Sequence, residues 1–153
     1  MTEQSDSVIL RFIVRTFMLP LILIFGFYVL FHGESGPGGG FQAGAILSAA
    51  VLLSRLTFGN QIDLKRAFSS QVLLVLAGLG VLLFTVTGIA PVLMGGEYLD
   101  YTALPSWMNS IVSTEHSSRI AGIFLIEVGI AIGVFAVLSL IYDHLVESSR
   151  DAD

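Results

Sequence analysis

Four apolar stretches, each of membrane length, alternate along this chain with short polar or glycine-rich breaks. A spanning helix needs about 20 mostly apolar residues to cross a hydrocarbon core of roughly 30 Å. The runs occupy about 9–31, 41–58, 72–94 and 120–142. The pattern predicts an all-α integral membrane protein, a single transmembrane domain of four transmembrane helices over 1–153. The second run is the shortest and the richest in small residues. The first outruns the roughly 7–15 apolar residues of a signal peptide. It ends in Phe31, His32, Gly33 and Glu34, a poor cleavage site, so it is predicted to be a retained span.

The polar positions then set an orientation. With four spans, both termini share a side with the loop at 61–70. That side carries Arg11, Arg15, Arg55, Lys65, Arg66 and Arg150, and the other carries Arg119. Basic residues accumulate on the cytoplasmic side, so both termini are predicted to be cytoplasmic. Arg11 and Arg15, and Arg55 at the end of the second span, read most simply as side chains snorkelling to that interface. On the other side, 95–119 holds Tyr98, Tyr101, Pro105 and Trp107, a composition suited to the membrane interface, with a short helix at about 106–112.

Composition narrows the function classes. Of 153 residues, 54% are apolar and 12% charged, and mean hydropathy is +0.85. An average soluble domain is roughly 25% charged, so a soluble enzyme is poorly supported. The net charge of −5 and scattered basic residues give no phosphate-binding stripe, and no nucleic-acid partner is expected. There are no cysteines, and His32, His116 and His144 lack metal-ligand spacing. Neither a cofactor nor a metal is expected.

Two features stand out as candidate chemistry. Residues 33–44 hold six of the chain's sixteen glycines, in a segment comprising Pro37, Gly38, Gly39, Gly40, Phe41, Gln42 and Gly44. A helix–helix turn needs one or two glycines; a run of three permits close approach of another backbone, or irregular chain buried at the membrane edge. Packing against partner subunits and a part in an ion or water path are both open. Glu127 lies inside the fourth span, where an ionisable group costs at least ~2.5–3.5 kcal/mol and is a functional candidate by default. Desolvation favours its neutral form, a state that a proton-exchanging carboxyl must reach. The bland alternative is a protonated carboxyl bonded to a neighbouring helix. His32 and Glu34, at the external mouth, are weaker proton-relay candidates.

Helical phase places Gly122, Gly129 and Gly133 on one face of the fourth span, about opposite Glu127. Gly129 and Gly133 form a close-packing pair. Gly44 and Ser48 give the second span a similar seam.

The run Phe27-Tyr28-Val29-Leu30 leading into Gly36-Pro37-Gly38-Gly39-Gly40-Phe41-Gln42-Ala43-Gly44 resembles the B subunit of Mrp-type (Mnh-type) multi-subunit Na⁺/H⁺ antiporters. Ile126-Glu127-Val128-Gly129-Ile130 is similar to the acidic element of that family's last span, where the acid is commonly Asp. The resemblance covers essentially the whole chain. It implies a subunit of a Na⁺/H⁺ antiporter in the cytoplasmic membrane of a prokaryote. The implied partners are the other subunits, including large complex-I-like antiporter subunits, with the lipid bilayer around them and Na⁺ and H⁺ as transported ions. A purely structural scaffold, or a membrane-arm subunit of a complex-I-like redox enzyme such as a membrane-bound hydrogenase, are the alternatives.

Overall fold

The computed structural model describes residues 2–33, 39–59, 68–101 and 117–151. The expected short helix at 106–112, Glu34, Pro37, Gly38, His116, Lys65 and Arg66 lie outside the described residues. Those described are helical apart from turns: α1 (Thr2–Ile13), a π-helical turn (Val14–Met18), α2 (Leu19–Phe31), α3 (Gly40–Phe58), α4 (Ser70–Leu93) and α5 (Ser117–Asp151). Four stretches are long and apolar enough to cross a membrane: Val8–Phe31, Gly40–Phe58, Ser70–Leu93 and Arg119–Ser149.

Local chemistry explains the helix boundaries. Pro20 has no N–H to give and its ring crowds the carbonyl four residues back. The chain widens into the π turn just before it, and the Leu19 N–H bonds to the Val14 carbonyl. His32 closes α2, its N–H 3.1 Å from the Tyr28 carbonyl. Gly39 precedes α3 at φ 136°, a conformation open to glycine and strained for other residues. Ser69 caps α4, accepting from the Val72 N–H at 3.5 Å. Past α4, Gly95 turns at φ 87° and the chain folds back, so that the Leu99 N–H reaches the Gly88 carbonyl at 3.3 Å.

Helix α5 is longer than its apolar run predicts. Its 35 residues continue well past 142 and carry Asp143, His144 and Glu147. At 1.5 Å per residue it reaches ~52 Å, beyond a ~30 Å hydrocarbon core.

The helices pack in a row, in the order α2, α3, α5, α4. Helix α2 runs antiparallel to α3, with Gly26 against Ile46 and Leu47. Helices α3 and α5 are parallel: Gly40 meets Glu127, Gly44 meets Ala131, Ser48 meets Ser139 and Arg55 meets Asp143. Helix α4 is antiparallel to α5, with Gly80 against Gly129 and Gly133. Each span therefore reverses the direction of the one before it. A small core of Leu30, Ala43 and Ala131, flanked by Val29 and Val128, joins α2, α3 and α5.

A row leaves much apolar surface uncovered. Within the Val8–Phe31 span Val14, Gly26 and Leu30 are buried, while Leu21, Ile24, Phe25 and Phe31 are exposed. Lipid or other apolar helices must cover such a surface.

Candidate ion site at Glu127

Glu127 sits where three segments converge: the end of α2, the start of α3 and the first third of α5. A methyl group on Gly33 would overlap Glu127 Oε2 and lie 2.6 Å from Oε1. One on Gly39 would stand 3.1 Å from Oε1. At Gly40 it would strike the Glu127 backbone carbonyl, with the carbonyl carbon at 2.8 Å. The glycines thus form a cradle around this carboxyl, one on each side of the connection between α2 and α3 and a third under its backbone. At Gly40 the neighbour is backbone and leaves no room for a side chain, whereas at Gly33 and Gly39 it is the flexible end of Glu127.

The cradle also has an electrostatic sense. Glu127 lies at the N-terminal end of α3, whose first intrahelical bond, the Ala43 N–H to the Gly39 carbonyl at 3.0 Å, leaves the preceding amides without helical acceptors. The positive end of the helix dipole stabilises negative charge there and offsets part of the cost of a carboxylate at this depth. Below the carboxyl lies the apolar core of Leu30, Ala43 and Ala131. Glu127 therefore stands between the N-terminal end of α3 and this apolar core.

The other predicted candidates scatter. His32 is exposed; its Nδ1 is 3.0 Å from the Tyr28 carbonyl and its ring stacks on Tyr28 at 4.1 Å. That is a helix-closing role. Phe41 and Gln42 are exposed on the first turn of α3, while Gly44 packs 2.5 Å, as measured from a built Cβ, from the Ala131 carbonyl. Ser48 bonds Ser139 at 3.3 Å in the buried α3–α5 seam. Gly129 packs on α4 and Gly122 under the Tyr101 ring. Gly129 and Gly133 both present their backbone to Gly80 of α4, while the missing side chain of Gly133 itself faces open space.

A profile described as a domain related to the MnhB subunit of Na⁺/H⁺ antiporter matches residues 9–140. The chain belongs to this family. MnhB relatives from Staphylococcus aureus strains Newman and JH1, provisionally named antiporter subunit mnhB2, are each 32% identical to it over 136 residues. The match takes in 88% of this chain and 91% of each relative. As an MnhB-family chain it is a component of a transporter rather than an enzyme, and a multi-pass membrane protein.

Sequence reading of this MnhB chain misassigned Arg55 and overlooked Asp143. Arg55 does not snorkel: its side chain is 6% exposed, pairs with Asp143 of α5 and donates to the Phe68 carbonyl at 2.9 Å. Arg55 follows Gly40 by 15 residues and Asp143 follows Glu127 by 16, so two parallel helices bring the second pair together as they bring the first. That matched spacing was present in the sequence, but it is meaningful only once α3 and α5 are known to be neighbours.

Proposed function

We propose that this chain is a subunit of a Na⁺/H⁺ antiporter complex in the cytoplasmic membrane of a prokaryote, and that Glu127 with its glycine cradle contributes to a cation or proton path. The chain acts as one transmembrane domain with both termini in the cytoplasm, the side to which its basic residues are biased. Its partners are the other antiporter subunits, including the large complex-I-like ones, and lipid; Na⁺ and H⁺ are the ions moved.

The observation that supports the role of Glu127 is the close approach of Gly33 and Gly39 to its carboxyl and of Gly40 to its backbone. The glycines leave room for the carboxyl to turn and bring the backbone dipoles at the start of α3 close to it. A Glu127→Gln change keeps the size and hydrogen bonding of the side chain and removes its charge. The assembled complex should persist on native gels, while Na⁺-driven proton exchange in everted vesicles falls at least tenfold. Normal exchange by an assembled Glu127→Gln complex would leave the chain as a scaffold.

A further inference from the structure

Another ionisable pair among the described residues lies at the far end of the same α3–α5 seam, ~24 Å along α5 from Glu127 at 1.5 Å per residue. Two oxygens converge there on one guanidinium: Asp143 Oδ1 on Nη1 and the Phe68 carbonyl on Nη2. The third nitrogen, Arg55 Nε, is buried with no hydrogen-bond partner. Arg55 as a whole is 8% exposed, and the Asp143 side chain 12%.

Each feature describes a place built for a cation. A carboxylate and a backbone carbonyl are hard oxygen donors. Arg55 stands in the last turn of α3, where the negative end of the helix dipole favours positive charge whatever its source. Arg55 itself fills the place imperfectly, because a buried N–H without an acceptor is a standing cost. A guanidinium is also weakly hydrated and permanently charged, so it neutralises Asp143 without a transported ion present. With its side chain 12% exposed, the Asp143 carboxylate is stabilised by a positive charge held against it.

We propose that Asp143 and the Phe68 carbonyl form a binding site for a small monovalent cation, occupied in this conformation by Arg55 as a tethered stand-in. The ion takes the site when Arg55 withdraws. The seam between this site and Glu127 is closed: Gly44 lies against the Ala131 backbone, with Ala43 and Ala131 fully or almost fully buried. This packing separates the cation site from the glycine cradle. The identity of the ion as Na⁺ rests on the reading of the chain as an antiporter subunit, while the site itself does not require a role for Glu127.

The test compares unfolding temperatures of the purified complex in NaCl and in choline chloride of equal ionic strength. Emptying the stand-in with Arg55→Gln should give a larger Na⁺-dependent rise than wild type, because an ion that binds the folded state stabilises it. Adding Asp143→Asn should remove that excess, and adding Glu127→Gln instead should leave it. Equal Na⁺ responses in wild type and Arg55→Gln overturn the proposal. If Arg55→Gln does not assemble, the wild type and Asp143→Asn complexes are compared by infrared difference spectra on Na⁺ addition. A carboxylate band shift present in wild type and lost in Asp143→Asn supports the site, and no such band overturns it. Failure of both variants to assemble makes the pair a structural lock and overturns it equally.

Discussion

Gly33 and Glu127, 94 residues apart in sequence, approach so closely that a single methyl group on the glycine would occupy the place of the carboxylate oxygen Oε2. The obstructed atom is the free end of a flexible side chain. A Gly33→Ala change therefore has an inexpensive escape: Glu127 turns away and the helices stay where they are. The complex should assemble at wild-type levels while exchange in everted vesicles drops about tenfold, the equivalent of ~1.4 kcal/mol. Unchanged exchange would mean that the orientation of Glu127 is irrelevant to transport.

Gly40→Ala should behave differently. Its added methyl meets the Glu127 backbone carbonyl, which cannot rotate away. The start of α3 must separate from α5, at a cost typical of overpacking, ~1–3 kcal/mol. Lower yield of assembled complex on native gels is the expected outcome. Full assembly would show that the α3–α5 contact is looser than this geometry.

Arg55 and Asp143 should be more sensitive singly than together. Arg55→Leu leaves the half-buried Asp143 carboxylate without its arginine and should lower stability, most clearly in choline buffer, whereas Arg55→Leu with Asp143→Leu removes both charges and should recover most of the loss. Residual assembled complex after a temperature series measures both. A double variant no more stable than the single one would refute the pairing.

Two glycines of α4 separate the faces of the α4–α5 layer. A methyl on Gly80 would lie 2.6 Å from the Gly133 nitrogen and 2.7 Å from the Gly129 carbonyl oxygen, whereas one on Gly78 has nothing within 4 Å. Gly80→Ala should destabilise the chain and Gly78→Ala should not. If Gly78→Ala does impair assembly in the complex, the open side of α4 is covered by a partner; cysteine crosslinking from position 78 would identify it.

Tyr101, beyond the end of α4, packs its ring on Gly122. Burial, and then the neighbouring Tyr98, push its phenol above the usual 10.0. Its neutral form is therefore favoured in the folded protein. The stability this brings is present below pH 10.0 and is lost as pH rises through the higher folded value. Difference absorbance near 295 nm, wild type minus Tyr101→Phe, should show a midpoint above that of a free phenol. A midpoint at or below it would place Tyr101 in open solvent.

Much of the fold is legible in one dimension because the bilayer imposes it. Unsatisfied backbone groups are so costly in hydrocarbon that an apolar run of about 20 residues has essentially one outcome, a helix. The spans were therefore readable, and so were the singular character of Glu127 and the excess of glycine before α3. Gly33 was harder to single out, since nothing local separates it from the other glycines of its segment. Arg55 was misread because an arginine near the end of an apolar run has two physical outcomes, snorkelling or pairing. The choice depends on whether an acid stands opposite on another helix.

The amino-acid sequence by itself determined that this chain forms four apolar helices, and that one carries a carboxyl within its apolar run, where charge is expensive. Each of these follows from transfer energies summed over neighbouring residues. Tertiary structure alone decided that α3 lies parallel against α5, so that Gly40 reaches Glu127 at one end and Arg55 reaches Asp143 at the other. Helix pairing in a bilayer turns on close packing and a few polar contacts rather than on hydrophobic burial, because lipid satisfies an apolar face as well as a neighbouring helix does. Such preferences are differences of shape between surfaces, and a linear pattern of apolar and polar residues does not contain them.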